Sequence, residues 1–133
     1  MILKFRAWDK NTNDMVDVKT IDLEKDGSIG CIVDYNGINL DVSECVIMQP
    51  TGLKDKNGVE SWEGNYLIKE DCWSFFIKWI ENEGCLMAVP VNSVQRTNWK
   101  PVAVKELLDK GYVNNSNIYE NPELLESVQN ERF

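Results

Sequence analysis

Trp73-Ser74-Phe75-Phe76-Ile77-Lys78-Trp79-Ile80 is the most hydrophobic run in the chain, and its reading decides the fold class. It falls far short of the roughly 20 apolar residues that a membrane-crossing helix needs. Aromatic and β-branched residues fill it, as in a strand. Alternation then places Trp73, Phe75, Ile77 and Trp79 on one face, and Ser74, Phe76, Lys78 and Ile80 on the other. Apolar side chains on both faces predict a strand covered on both sides, with the Trp73 row as the stronger core face. Glu81-Asn82-Glu83-Gly84 turns the chain into a second strand, Cys85 to Val89, which Pro90 is expected to interrupt.

Toward the N-terminus the same alternation recurs. Ile2 to Trp8 reads as a strand with Lys4 and Arg6 on a wet face, and Met15 to Leu23 as another beyond the polar turn Asp9 to Asp14. Asp26-Gly27 and Asn36-Gly37 are hairpin signals around Ser28 to Tyr35. Asn36-Gly37 is read as a type I′ turn, and Ile38 to Leu40 as the start of the next strand. Val46-Ile47-Met48 is expected to stop at Pro50, followed by turn-rich sequence from Thr51 to Gly64 and a strand from Asn65 to Lys69. Toward the C-terminus, Pro101 to Lys110 predicts a helix ending at Gly111, and Asn121-Pro122-Glu123 the capped start of a second short helix. The expected architecture is mainly β, with one or two short helices in the C-terminal third and a single domain over residues 1–133.

Composition narrows the chemistry. The 133 residues include no histidine, which removes Ser-His-Asp triads, Cys-His pairs and the commonest neutral-pH general base. Cys31, Cys45, Cys72 and Cys85 lack the C-x₂₋₄-C spacing of a zinc knuckle. In a reducing compartment they are expected to be buried or half-buried thiols. Asp9 to Asp14 opens like a calcium loop, but Asp14 stands where that loop needs glycine and Thr20 where it needs a bidentate glutamate. No glycine-rich phosphate loop occurs. No catalytic residue, metal or cofactor is therefore expected.

Lysine and arginine total 14 against 22 aspartates and glutamates, a net charge of −8 that disfavours nucleic-acid binding. The tryptophans Trp8, Trp62, Trp73, Trp79 and Trp99 are expected in core or edge packing. The charged N-terminus, Met1 to Lys10, does not read as a signal peptide, and a cytoplasmic location is expected, without membrane contact.

Three segments, Lys4-Phe5-Arg6-Ala7-Trp8-Asp9-Lys10, Thr51 to Gly64, and Asn117 to Leu125, together resemble the YopX family of phage and prophage proteins. In this chain Trp62-Glu63-Gly64-Asn65 stands where the family motif has tyrosine-glutamate-glycine-aspartate, and Lys100 to Tyr112 looks like an addition. The resemblance implies a small SH3-like barrel with additional strands or hairpins, and expression in a phage-infected or lysogenic bacterium. It implies structural roles for Phe5, Arg6, Trp8, Gly52, Leu53, Asp55, Gly58, Glu63, Gly64, Ile118, Tyr119, Asn121 and Pro122, and supplies no activity.

The leading functional expectation is a non-enzymatic module that binds an unidentified host or phage protein or assembles with itself. The alternatives are an accessory nucleic-acid-binding barrel, stacking Trp and Tyr on bases, and a carboxylate-dependent enzyme acting on a small molecule.

Overall fold

The computed structural model describes residues 4–92 and 100–125. Among these residues strand accounts for 50% and helix for 10%, which places the protein in the mainly β class, with a curled half-barrel sheet and two short helices. The chain divides into two compact units, Met1–Gln49 and Pro50–Phe133.

In the N-terminal unit, β1 (Phe5–Asp9), β2 (Asp14–Leu23), β3 (Ile29–Asp34), β4 (Asn39–Asp41) and β5 (Cys45–Met48) form one sheet in the order β4-β3-β2-β1-β5. Alternation builds its core: Ala7 is buried with Val18, Ile32, Leu40 and Cys45, and Phe5 packs beside them. Arg6 and Trp8, on the opposite face of β1, are half-buried. Between β1 and β2, Asp9 holds the polar turn by accepting from the Asn11 N–H at 2.8 Å through Oδ1 and from the Asn13 N–H at 2.8 Å through its carbonyl. Two register shifts interrupt the pairing of β2 with β3, and such bulges bend the strand that carries them. That pairing begins at Val18 opposite Asp34, so residues 14–17 of β2 pair with β1 alone.

The C-terminal unit opens with a ribbon of β6 (Pro50–Lys54) and β7 (Glu60–Trp62). A four-stranded sheet follows in the order β10-β9-β8-β11, from β8 (Asn65–Ile68), β9 (Phe75–Ile80), β10 (Cys85–Pro90) and β11 (Val113–Asn117). Both faces of β9 are covered. Phe75 and Ile77 lie with Leu67 and Ala88 against α1 (Val104–Asp109), whose Val104, Leu107 and Leu108 are buried. Phe76 faces the other way, with Tyr66, Val89 and Val91, against Ile118 and Leu125.

Several expectations are corrected. Trp73 and Trp79 are 54% and 41% exposed, so the core row of β9 is Phe75 and Ile77 alone. Trp8 and Trp62 are half-buried, and Trp99 lies outside the described residues. Pro50 begins β6 rather than ending a strand region, because a first strand residue need not donate to the ladder. The helix starts at Val104 instead of Pro101, since the backbone of Val102 exchanges hydrogen bonds of 2.8 and 2.9 Å with Ala88 of β10. Asn36-Gly37 is not a type I′ turn: Gly37 has φ +82°, but Asn36 is not in the positive region. Cys45 is buried and Cys31 half-buried as expected, whereas Cys72 and Cys85 are exposed. The strand orders are linear and do not by themselves make an SH3-like barrel.

Candidate functional site

In the C-terminal unit the motif segments meet through polar side chains that the fold itself uses. Asp55 follows β6 and is 6% exposed. Its Oδ1 accepts from the N–H groups of Asn57 (2.9 Å) and Val59 (3.0 Å), shaping the loop whose Gly58 has φ +80°. Its Oδ2 accepts from the Asn114 N–H (2.9 Å) and Nδ2 (3.1 Å), tying the ribbon to β11. Burial works to raise the Asp55 pKa, but the donors of Asn114, Val59 and Asn57 outweigh it and hold the carboxyl below its usual range.

The turn from β7 to β8 is fixed by Asn65, which accepts from the Trp62 N–H at 2.9 Å and donates Nδ2 to the Asn115 carbonyl at 3.4 Å. An aspartate at this position would lack the second donor. Gly64 (φ +90°) donates to the Ile77 carbonyl at 2.7 Å and accepts from the Ile118 N–H at 2.9 Å. A Cβ there would lie 2.9 Å from a ring carbon of Tyr119. The Tyr66 hydroxyl donates to the Asn121 carbonyl at 2.9 Å, joining β8 to the last motif segment. Asn121 directs its Nδ2 to Glu123 at 2.9 Å, and its carbonyl accepts from the Leu124 N–H at 3.2 Å, whereas among the described residues its side-chain oxygen accepts no backbone N–H at the start of the helical residues 123–125. Burial, then the charge of Glu63, raises the Tyr119 pKa.

The remaining motif residues spread over both units. Phe5 packs on the N-terminal core, with Arg6 and Trp8 on the reverse face of its strand. Leu53 packs on the α1-side core, and Gly52 (φ +79°) lies within the irregular pairing of β6. Pro122 is exposed. The motif positions do not converge on one reacting centre. Asn114, the partner of Asp55, had no sequence signal: beyond Val113, Asn114-Asn115-Ser116-Asn117 lacks both alternation and strand-favouring side chains, yet forms β11.

Among the described residues, three clefts stand out. In the C-terminal unit, one of about 410 Å³ is walled by Trp73, Phe75, Val102, Leu107 and Tyr112, with Lys110 at its margin. The Tyr112 hydroxyl donates to the Trp73 carbonyl at 3.0 Å, and the Phe75 and Tyr112 rings meet edge to face at 5.6 Å. A second, of about 500 Å³, also includes Lys110 and adds Lys56 and Lys69. The Lys69 ammonium donates to the Lys110 carbonyl at 2.6 Å, at the C-terminal end of α1. In the N-terminal unit, a cleft of about 340 Å³ is lined by Asp14, Met15, Val16, Asp17, Asp34 and Tyr35. Among the described residues no group of three or more Cys, Asp or Glu is arranged to hold a metal ion, and no helix is long and apolar enough to cross a membrane.

Comparison with known proteins agrees with this architecture. The family model described as YopX protein matches residues 4–126. The crystal structure of protein EF1440 from Enterococcus faecalis is similar at TM-score 0.68 and 29% identity, over 94% of this chain and 99% of that one. A search of curated proteins finds no match.

Proposed function

The chain belongs to the YopX protein family, and from that premise we propose that it is a non-enzymatic interaction module of phage origin, acting in the bacterial cytoplasm by binding a host or phage protein or by self-assembly. The observation that carries this reading is the placement of large apolar side chains outside the cores: Tyr35 is 70% exposed, Ile38 51% and Trp73 54%, with Tyr35 and Trp73 each lining a cleft. The polar motif residues Asp55 and Asn121 meanwhile serve internal bonding. Exposed aromatics beside a concavity are the usual anchors of a protein interface.

Affinity capture from host lysate, with and without phage infection, tests the heterotypic form, and light scattering tests self-assembly. A single retained protein or a concentration-dependent mass supports the module. Nothing retained and a monomer at all concentrations would remove it.

A second reading has one observation in its favour. Lys56, Lys69 and Lys110 line a cleft that shares Lys110 with the one holding Trp73, an arrangement suited to a base stacked on an indole with its phosphate near the lysines. The net charge of −8 opposes it. Titration with single-stranded and duplex oligonucleotides across salt concentrations decides, and no binding at low salt ends it.

A further inference from the structure

The chain builds the same loop twice, and only one copy has its partner. Asp34-Tyr35-Asn36-Gly37-Ile38 and Asp55-Lys56-Asn57-Gly58-Val59 share the pattern Asp-x-Asn-Gly-aliphatic. In the first, Asp34 Oδ1 accepts from the N–H groups of Asn36 and Ile38, both at 2.9 Å; in the second, Asp55 Oδ1 accepts from Asn57 at 2.9 Å and Val59 at 3.0 Å. Each loop is closed by the Asp N–H to the aliphatic residue's carbonyl, at 3.0 and 2.9 Å, and each glycine lies near φ +80°.

The two differ at the second carboxylate oxygen. Asp55 Oδ2 is held by the backbone N–H and side-chain amide of Asn114, donors from an extended strand. Asp34 is as buried, at 5% exposure, yet its Oδ2 accepts no hydrogen bond among the described residues. That oxygen is not sealed off in the core: it opens into a cleft, where solvent reaches it and a donor from a bound chain can take the solvent's place.

Asp34 lines the cleft of about 340 Å³, whose walls also carry Asp14 and Asp17 and no lysine or arginine. Residues 14–17 are the part of β2 that pairs with β1 alone, so among the described residues no strand pairs with the other edge beyond the end of β3, where the Met15 N–H donates to Asp14 Oδ1 at 2.9 Å. Tyr35, 70% exposed, stands at the same place.

We infer that this cleft docks an extended, arginine-bearing segment of a partner protein, which pairs with the open edge of β2 and gives its N–H donors to Asp34 as Asn114 does to Asp55. Edge pairing supplies the backbone bonds. Three carboxylates select a cation, and a guanidinium offers paired donors with a flat face for Tyr35. This rests on the interaction-module reading and names the surface and the chemistry of its partner.

The test uses the full-length protein labelled with ¹⁵N and the capped peptide acetyl-Thr-Arg-Val-Arg-Thr-amide at low salt. Amide shifts are expected at residues 14–18 and 34–38. Asp34→Asn retains an oxygen for the loop but replaces the free acceptor with a donor, and is expected to weaken binding about tenfold. Asp17→Asn, at an exposed position that leaves the fold intact, is expected to weaken it about two- to threefold. The glutamate analogue of the peptide is expected not to bind.

Unshifted cleft amides, shifts confined to another surface, or wild-type affinity in Asp17→Asn would each overturn the site. A lysate protein retained equally by wild type and Asp17→Asn would overturn it too, while leaving the interaction reading intact. Cleft shifts with the peptide, without any captured protein or self-association, would keep the site and remove that reading.

Discussion

Asp55 uses both carboxylate oxygens within the fold, and its ionisation is therefore tied to stability. Unfolded, it titrates near the ordinary aspartate value of about 3.9; folded, it titrates lower. The stabilisation is fully present above the unfolded value and is lost as pH falls through the folded one. Asp55→Asn is expected to cost about 1–3 kcal/mol at neutral pH and to flatten the acid limb of the stability profile, both read from urea midpoints between pH 2 and 7. Gly64→Ala combines a left-handed φ with a Cβ pressed on Tyr119, and about 2–4 kcal/mol is expected by the same measurement. The Ser61 hydroxyl is fully buried and has no hydrogen-bond partner among the described residues, while its carbonyl accepts from the Thr51 hydroxyl at 2.8 Å. Ser61→Ala is accordingly expected to leave the midpoint unchanged or to raise stability by up to about 1 kcal/mol. The glycines stood out in the sequence by their turn pattern, and Asp55 through the family resemblance. Asn114 did not, because a polar side chain's value depends on which distant group it meets.

Among the elements, α1 has six residues and would not hold as an isolated helix. Its end is fixed by the Gly111 N–H donating to the Leu108 carbonyl and the Tyr112 N–H to that of Leu107, each at 3.1 Å, with Gly111 at φ +98°. Its burial comes from Leu107 and Leu108 against β9. Leu107→Ala is expected to cost about 2–4 kcal/mol, and a peptide of residues 100–112 to show no helical circular dichroism; a helical peptide would mean local sequence suffices. Gly111 was legible as a helix stop, since the left-handed cap needs glycine. The start was not, because Val102 is drawn into a bridge with Ala88, a residue in a separate strand. The hairpin loops at Gly27, Gly37 and Gly58 were legible as turns, but the form of the Asn36-Gly37 loop was set by the Asp34 carboxylate accepting the Asn36 and Ile38 N–H groups, which that dipeptide does not encode.

At the scale of the whole molecule, each core cluster draws its residues from one unit: Ala7, Val18 and Ile32 in the first, Leu67, Ile77 and Leu107 or Tyr66 and Phe76 in the second. Ile32→Ala is therefore expected to speed amide exchange in residues 5–48 more than in residues 50–90, at a cost of about 2–4 kcal/mol. Uniform acceleration across both would show that the two cores open together. The sequence by itself determined the mainly β class, most strand positions and the exclusion of histidine-based chemistry, because alternation and composition are local or global properties of the chain. Only the tertiary structure decided which face of β9 carries Phe75 without Trp73, that Asp55 is clamped by Asn114, and that Asp34 retains an open oxygen beside the free edge of β2. Those outcomes follow from contacts between residues far apart in sequence, where register and burial rather than residue type select the partner.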